Sequence, residues 1–106
     1  MSAETEFEII YAPAVKEHVA VVEPKYYSLI REAIQKRLRF EPGVETKNRK
    51  PLKQPGIMGG AWEIRFGPGN RFRVFYTVDS QKSQVHVLAL GEKKGNRLWV
   101  GKTEIT

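Results

Sequence analysis

The sequence predicts an α+β fold, in which an N-terminal strand and a helical hairpin pack on a mainly antiparallel, twisted sheet of about four strands. Three observations lead to this prediction: an alternating segment near the start, two segments of helical period before residue 41, and alternating segments on both sides of a turn-forming cluster after residue 60. The later strands follow one another without intervening helices, which favours α+β over a parallel α/β sheet. A length of 106 residues suits one domain, and we predict that it spans 1–106.

The first 43 residues predict the N-terminal strand and both helices. Charged and apolar side chains alternate over 4–11, as in a half-buried strand. Pro13 fits the first turn of a helix, which apolar spacings of three and four extend to about Val22 and which places His18 at the edge of the core. A second helix follows Pro24 and stops at the Pro-Gly pair of 42–43. The short connection makes the helices an antiparallel pair packed against the sheet.

A β-hairpin with a basic face is predicted over 61–79. An odd loop length around 68–70 keeps like faces opposed and gives three apolar pairs: Trp62 with Tyr76, Ile64 with Val74, and Phe66 with Phe72. The alternation places Trp62 and Tyr76 on the core side. The same register sets Arg65 opposite Arg73 on the other side. Like charges in opposed positions are destabilising, so this pair predicts an anion-binding function.

The segment 41–60 contains three prolines, four glycines and no regular period, and we predict that it is a loop. It carries four basic side chains, which are Lys47, Arg49, Lys50 and Lys53. A basic loop of this length beside the hairpin favours a functional role, and the alternative is a flexible connector with no fixed partner.

Further strands are predicted after the hairpin. The segment 84–90 is apolar on both faces, with Val85, Val87 and Ala89 facing away from Leu88 and Leu90, which indicates a central strand. The segment 91–96, GEKKGN, is predicted to break the sheet and to present two lysines, and 97–105 adds a short strand or a hairpin around the glycine at 101.

Charge and composition limit the classes of function. Residues 1–46 hold 6 Lys/Arg against 8 Asp/Glu, a net charge of −2, and residues 47–106 hold 12 against 4, a net charge of +8. A basic half of this size predicts nucleic acid as the partner, with a solvated basic surface as the alternative. There is no cysteine and there are two histidines, so we expect no metal site and no cofactor. Apolar runs are short, so we expect no membrane contact and a cytoplasmic location.

The remaining chemistry is that of cations among aromatic rings. Lys53, Arg65, Arg73 and Lys93 fall in the same half of the chain as both tryptophans. Basic groups beside stacking rings are typical of proteins that bind single-stranded nucleic acid. RNA can be cut by its own 2′-hydroxyl when a site orients the attack and neutralises the charge on the phosphate.

Three segments, KPLKQP, WEIRFGPGNRFRVFYTVD and VHVLALGEKKGNRLWV, resemble in order and spacing the RelE/ParE superfamily of bacterial toxin–antitoxin toxins. The resemblance implies a small RelE-like fold and a metal-independent endoribonuclease that cuts mRNA on the ribosome and inhibits translation. It also implies a cognate antitoxin that binds the toxin in a hetero-oligomer. The alternatives are a ParE-like inhibitor of DNA gyrase and a catalytically weak nucleic-acid-binding member of the fold.

Matched position by position, the resemblance implies three catalytic residues, which are Arg65, Arg73 and Lys93. The predicted RNA-binding residues are Lys47, Arg49, Lys50, Lys53, Arg71, Lys94 and Trp99. Two positions depart from the family pattern, because Glu63 replaces a lysine of RelE and Trp99 lies near a tyrosine position. Since indole has no acid or base function, proton transfer then falls to Lys93, Glu63 or Tyr76.

Overall fold

The computed structural model describes residues 5–54, 56 and 59–105 and shows two helices on one face of a β-sheet. The elements are β1 (Glu8–Tyr11), α1 (Pro13–Ala20), α2 (Tyr27–Leu38), β2 (Arg49–Pro51), β3 (Trp62–Phe66), β4 (Phe72–Asp79), β5 (Gln84–Lys94), β6 (Arg97–Val100) and β7 (Thr103–Glu104). Short 3₁₀ turns at Pro24–Tyr26 and Pro68–Asn70 precede α2 and close the β3–β4 hairpin. Residue 4, where the predicted first strand begins, lies outside the described residues.

The strands form one sheet in the order β2-β3-β4-β5-β6-β7, and β1 pairs with β5 beside this path. The β1–β5 pair is parallel, and the other pairs are antiparallel. The α+β class and the mainly antiparallel sheet are therefore confirmed. The predicted count of about four strands is too low, because the described part of the chain has seven.

The helices bury the apolar faces that their sequence period predicts. Val15 of α1 and Ile30, Ile34 and Leu38 of α2 are buried in one cluster with the inward side chains of β3, β4 and β5. Hydrophobic side chains at spacings of three and four form one stripe on a helix, and this stripe packs on the sheet. Within the described residues, neither helix is long and apolar enough to cross a membrane.

His18 of α1 packs against the part of β5 that lies between its pairings with β1 and with β6. Residues 84–87 of β5 pair with β1 and residues 91–94 pair with β6, which leaves a gap between the two partners. His18 lies in this gap, 9% exposed, and its Nδ1 accepts a hydrogen bond of 3.2 Å from the backbone N–H of Leu90. Burial lowers the pKa of His18, with a smaller opposing effect of Glu17, so the neutral acceptor form is favoured. The predicted position at the core edge is confirmed.

Two predictions about β5 are wrong. The strand does not end at 90 but continues to Lys94, and 91–94 pairs with β6, so GEKKGN turns only at Gly95, which has a φ of 63°. Strict alternation also fails, because β5 has one extra residue, Leu88, between the partners of Phe75 and Tyr76, and this bulge shifts the register with β4. Val85 and Val87 lie in the helix-side core with Leu90, whereas Ala89 lies on the other face. An extra residue in a strand reverses the face of every later side chain.

The prediction that 41–60 has no regular structure is also wrong, because residues 49–51 form the edge strand β2. Thr46 and Arg49 exchange backbone hydrogen bonds of 2.8 and 3.3 Å in a tight turn before it, and Lys50 lies opposite Glu63 of β3. This strand is three residues long and contains a proline, so no alternation is visible in its sequence. The segment becomes a strand only because it pairs with β3.

Candidate nucleic-acid interface

The basic face is the sheet surface opposite the helices, and we define it by five side chains: Lys50, Glu63, Arg65, Arg73 and Lys93. Directly opposed residues of antiparallel strands point to the same side, and the register pairs Lys50 with Glu63 and Arg65 with Arg73. Lys93 joins this face because it is two residues beyond Gly91, the partner of Arg73. The predicted catalytic residues are thus brought to one surface.

An apolar cluster forms the floor of the basic face. Phe75, Ala89, Leu98 and Val100 are buried there, with Leu52 packed against them. Gly91 lies among them, and a Cβ at this position would come within 2.9 Å of Leu98. The glycine therefore permits close packing beside Arg73, and the floor holds the charged side chains on a rigid sheet.

Glu63 connects the two opposed arginines. Its side chain is 9% exposed, with Oε2 3.2 Å from Arg65 Nε and Oε1 3.7 Å from Arg73 Nη1. Arg73 is 19% exposed, and its buried Nε has no hydrogen-bond partner in the described structure. One carboxylate thus offsets the repulsion between two guanidinium groups and leaves one unit of positive charge and several free N–H donors. Such an arrangement suits an anion with several oxygens.

Lys93 stands at the outer end of β5. Its side chain is exposed, and its backbone N–H donates a 2.7 Å hydrogen bond to the carbonyl of Arg71. Lys93 lies diagonally from Arg73, a relationship that separates positions by about 7–8 Å and leaves them within reach of long side chains. The lysine can therefore approach the same bound group as the arginines.

Besides Arg49, which is described below, three predicted RNA-binding residues lie on the helix side and not on the basic face. In the β5–β6 register Trp99 opposes Glu92 and Lys94 opposes Arg97, so these side chains alternate with Lys93 and point to the helix side. Arg71 binds Glu92 there at 2.6 Å and lies 4.9 Å above the ring of Tyr26. The hydrogen bond that Arg71 donates to the carboxylate of Glu92 raises the pKa of Arg71. Contacts of Arg71, Lys94 and Trp99 with RNA remain predictions. They require that RNA also binds a second surface of the protein, on the helix side.

The guanidinium of Arg49 lies on the helix side of the sheet and donates hydrogen bonds to two backbone carbonyls. Its Nη2 donates to the carbonyl of Arg37 at 2.6 Å, and its Nη1 donates to that of Val44 at 3.3 Å. It pairs with Ile64, whose side chain is in the main core. These bonds anchor the turn before β2 to the end of α2. Arg49 therefore has a structural role, which the sequence did not indicate.

Tyr76 and Trp62 lie on the core side, as predicted. Tyr76 is fully buried, its hydroxyl donates a 2.7 Å hydrogen bond to the carbonyl of Pro42, and burial raises its pKa. Trp62 stacks on it with ring centroids 6.4 Å apart. The sheet separates Tyr76 from the basic face, which leaves Glu63 and Lys93 as the candidates for proton transfer there.

A small cleft adjoins Arg65. Its volume is about 100 Å³, and its lining consists of Lys47, Asn48, Lys50, Glu63, Arg65 and Asn70. Sequence reasoning predicted the lysines and missed both asparagines, which only the turn at 46–49 and the hairpin loop bring to the cleft. Lys53, the other predicted basic residue of this segment, is exposed. In the described residues no group of three or more acidic or histidine side chains is placed to hold a metal.

A second candidate surface is an apolar groove between α1, α2 and the end of β1. Its volume is about 620 Å³, and the side chains along it are Tyr11, Ala12, Pro13, Val15, Lys16, Val19, Tyr27, Ile30, Arg31, Ile34 and Gln35. Tyr11 and Tyr27 are 42% and 38% exposed, which is high for large aromatic residues. Exposed apolar surface with a polar rim is typical of protein-binding sites.

Two helices packed on one face of a mainly antiparallel sheet place the chain in the RelE-like class of folds. One chain in the crystal structure of the toxin–antitoxin complex RelBE2 from Mycobacterium tuberculosis has this fold, with a TM-score of 0.69, 17% sequence identity, and coverage of 88% of this chain and 98% of that chain. The family described as "Phage derived protein Gp49-like (DUF891)" matches residues 14–105. The chain belongs to this Gp49-like family. No curated protein matches it.

Proposed function

We propose that this protein is the toxin of a type II toxin–antitoxin system and that it cleaves mRNA on the ribosome in the cytoplasm, thereby inhibiting translation. A single toxin domain spans 1–106 in this proposal. The observation that carries it is the opposed pair Arg65 and Arg73, which both contact the buried carboxylate of Glu63 on a rigid sheet, with Lys93 on the same face. The family membership and the RelE-like fold support the same class.

The proposed reaction uses the 2′-hydroxyl of the RNA as the nucleophile. The 2′-oxygen attacks the adjacent phosphorus and loses its proton to the carboxylate of Glu63, while the bond to the 5′-oxygen breaks and Lys93 protonates that leaving oxygen. The products are a 2′,3′-cyclic phosphate and a 5′-hydroxyl end. Arg65 and Arg73 donate to the phosphoryl oxygens, where negative charge increases in the transition state.

A specific observation favours the runner-up, a ParE-like inhibitor of DNA gyrase. Within the described chain the basic face has no tyrosine, since Tyr76 is in the core and Trp99 lies on the opposite side. A site without a tyrosine has fewer groups that can transfer protons. A protein that only binds nucleic acid or a protein target does not need such groups.

The cognate antitoxin is the proposed protein partner, and the groove between the helices suits it. Lys16 and Arg31 are the charged residues of the groove lining, and both are cationic. An amphipathic helix lays its apolar face in such a groove and places acidic residues at the rim. The alternative antitoxin surface is the basic face itself.

Purified protein added to translating ribosomes in EDTA tests the proposed activity. We expect mRNA cut within codons, with 2′,3′-cyclic phosphate ends, and no cutting by the Arg65→Ala/Arg73→Ala variant. A supercoiling assay with DNA gyrase runs in parallel. Intact mRNA together with inhibited supercoiling would replace the ribonuclease proposal by the gyrase one.

A further inference from the structure

We propose that the cleft beside Arg65 is a second phosphate subsite, which binds the phosphate next to the one that is cut. This inference rests on the proposed function, because it assigns a further contact of the same RNA strand. The cleft volume of about 100 Å³ is several times the roughly 10–15 Å³ that one water molecule needs, so the cleft has room for a phosphate.

The uncompensated charge of the cleft is positive. Lys47 and Lys50 are exposed, and neither forms an ion pair within the described part of the chain. Among the described residues that line the cleft, the one carboxylate belongs to Glu63, which is already engaged by Arg65 and Arg73. Two ammonium groups thus remain for a ligand, and the side-chain amides of the two lining asparagines add neutral N–H donors.

The backbone around the cleft is fixed before any ligand binds. The carbonyl of Asn48 accepts a 2.9 Å hydrogen bond from the N–H of Arg65, which ties the lysine-bearing turn to β3. Arg49 ties the same turn to α2 through the carbonyl of Arg37, and Arg37 Nη1 donates 2.9 Å to the carbonyl of Arg65. This closed set of bonds lowers the entropy lost when a phosphate is bound.

The cleft also has a suitable distance from the arginine pair. Arg73, Arg65 and Lys50 lie on the consecutive strands β4, β3 and β2, and neighbouring strands are about 4.8 Å apart. An RNA strand that crosses the sheet from β4 to β2 meets the arginines first and the lysines next. Consecutive phosphates of an RNA strand are separated by a distance of the same order. One RNA strand can therefore place one phosphate at the arginine pair and the next in the cleft.

Binding of short oligonucleotides to the full-length protein, without ribosomes, tests this subsite. The probes are the dinucleotide UpG, the same dinucleotide with a 5′-phosphate, and the same with a 3′-phosphate, each with a 2′-deoxyuridine to prevent cutting. We expect one terminal phosphate to raise affinity about fivefold to tenfold and to steepen the salt dependence by about 0.7. The Lys47→Ala/Lys50→Ala variant should lose this gain.

The matched control is Lys82→Ala/Lys102→Ala, which removes two exposed lysines away from the basic face. It should keep the ratio between phosphorylated and unphosphorylated probes. The proposal is overturned if neither terminal phosphate changes affinity, or if the control loses the gain as fully as the cleft variant. mRNA cleavage without a terminal-phosphate effect would refute the subsite alone. A terminal-phosphate effect in a protein that does not cleave mRNA would support the subsite and refute the ribonuclease proposal.

Discussion

Arg65 and Arg73 occupy directly opposed positions on β3 and β4, and the carboxylate of Glu63 binds both guanidinium groups. Opposed like charges cost stability, and here a buried carboxylate offsets that cost within the sheet. The three side chains therefore form one charged network on the sheet.

The first prediction concerns Arg73→Ala. We expect mRNA cleavage to lose about 2–4 kcal/mol of transition-state stabilisation, because one charge-stabilising donor is removed. Stability should fall by only about 1 kcal/mol, since Glu63 keeps Arg65 as a partner. Single-turnover cleavage and thermal unfolding measure the two effects, with Thr77→Ala on the same strand as the control. Full activity in a folded Arg73→Ala protein would exclude the arginine from catalysis.

A second prediction separates binding from chemistry through Glu63→Gln. The face gains one unit of positive charge, so RNA affinity should rise, whereas cleavage should fall at least about a hundredfold because the proton acceptor is lost. Filter binding and single-turnover rates give the two readouts. Faster cleavage in this variant would show that Glu63 blocks the site and does not serve as its base.

Tyr76→Phe is expected to affect stability alone. The change removes the buried hydroxyl that bonds to Pro42 and should cost about 1 kcal/mol in the free energy of unfolding. Cleavage per folded molecule should stay at the wild-type rate, because the sheet lies between Tyr76 and the basic face. Tyr27→Phe, at an exposed position, serves as the control. A large loss of cleavage rate in folded Tyr76→Phe protein would contradict its structural role.

The stability of the protein should depend on pH through His18. Burial lowers its pKa below the usual 6.5, so the unfolded chain binds this proton more tightly than the folded one. The contribution is complete above pH 6.5 and is lost as the pH falls below that value towards the folded pKa. His18→Gln should flatten the fall in unfolding free energy between about pH 7 and 5 in urea titrations. An unchanged slope in the His18→Gln variant would refute the assignment.

Charge reversal at the helix groove tests the antitoxin surface. Lys16→Glu/Arg31→Glu should weaken binding of an acidic antitoxin helix at least about tenfold and leave mRNA cleavage unchanged, because both residues are on the far side of the sheet from the basic face. Lys36→Glu/Lys25→Glu is the charge-matched control outside the groove. If only variants of the basic face weaken the complex, the antitoxin covers the catalytic surface instead.

The sequence alone determined the hairpin and the helix faces. An alternating pattern fixes which residues share a side of a strand, so the pairs from Trp62 with Tyr76 to Phe66 with Phe72 are as predicted, as is Arg65 opposite Arg73. The register is right although the loop is longer than 68–70, because only its odd length matters for the faces. Helical spacing likewise predicted the burial of Ile30 and Ile34.

The tertiary structure alone decided which face of the sheet the side chains after the bulge in the β4–β5 pair occupy. Continued alternation from Val85 would have placed Lys93 on the helix side, but the extra residue around Leu88 moves Lys93 to the basic face and Trp99 away from it. No local pattern marks this step, since apolar residues occupy both faces of β5. Pairing also created β2 from a segment without period and brought Lys47 and Lys50 to the cleft. Both results depend on contacts between residues distant in sequence, which periodicity does not encode.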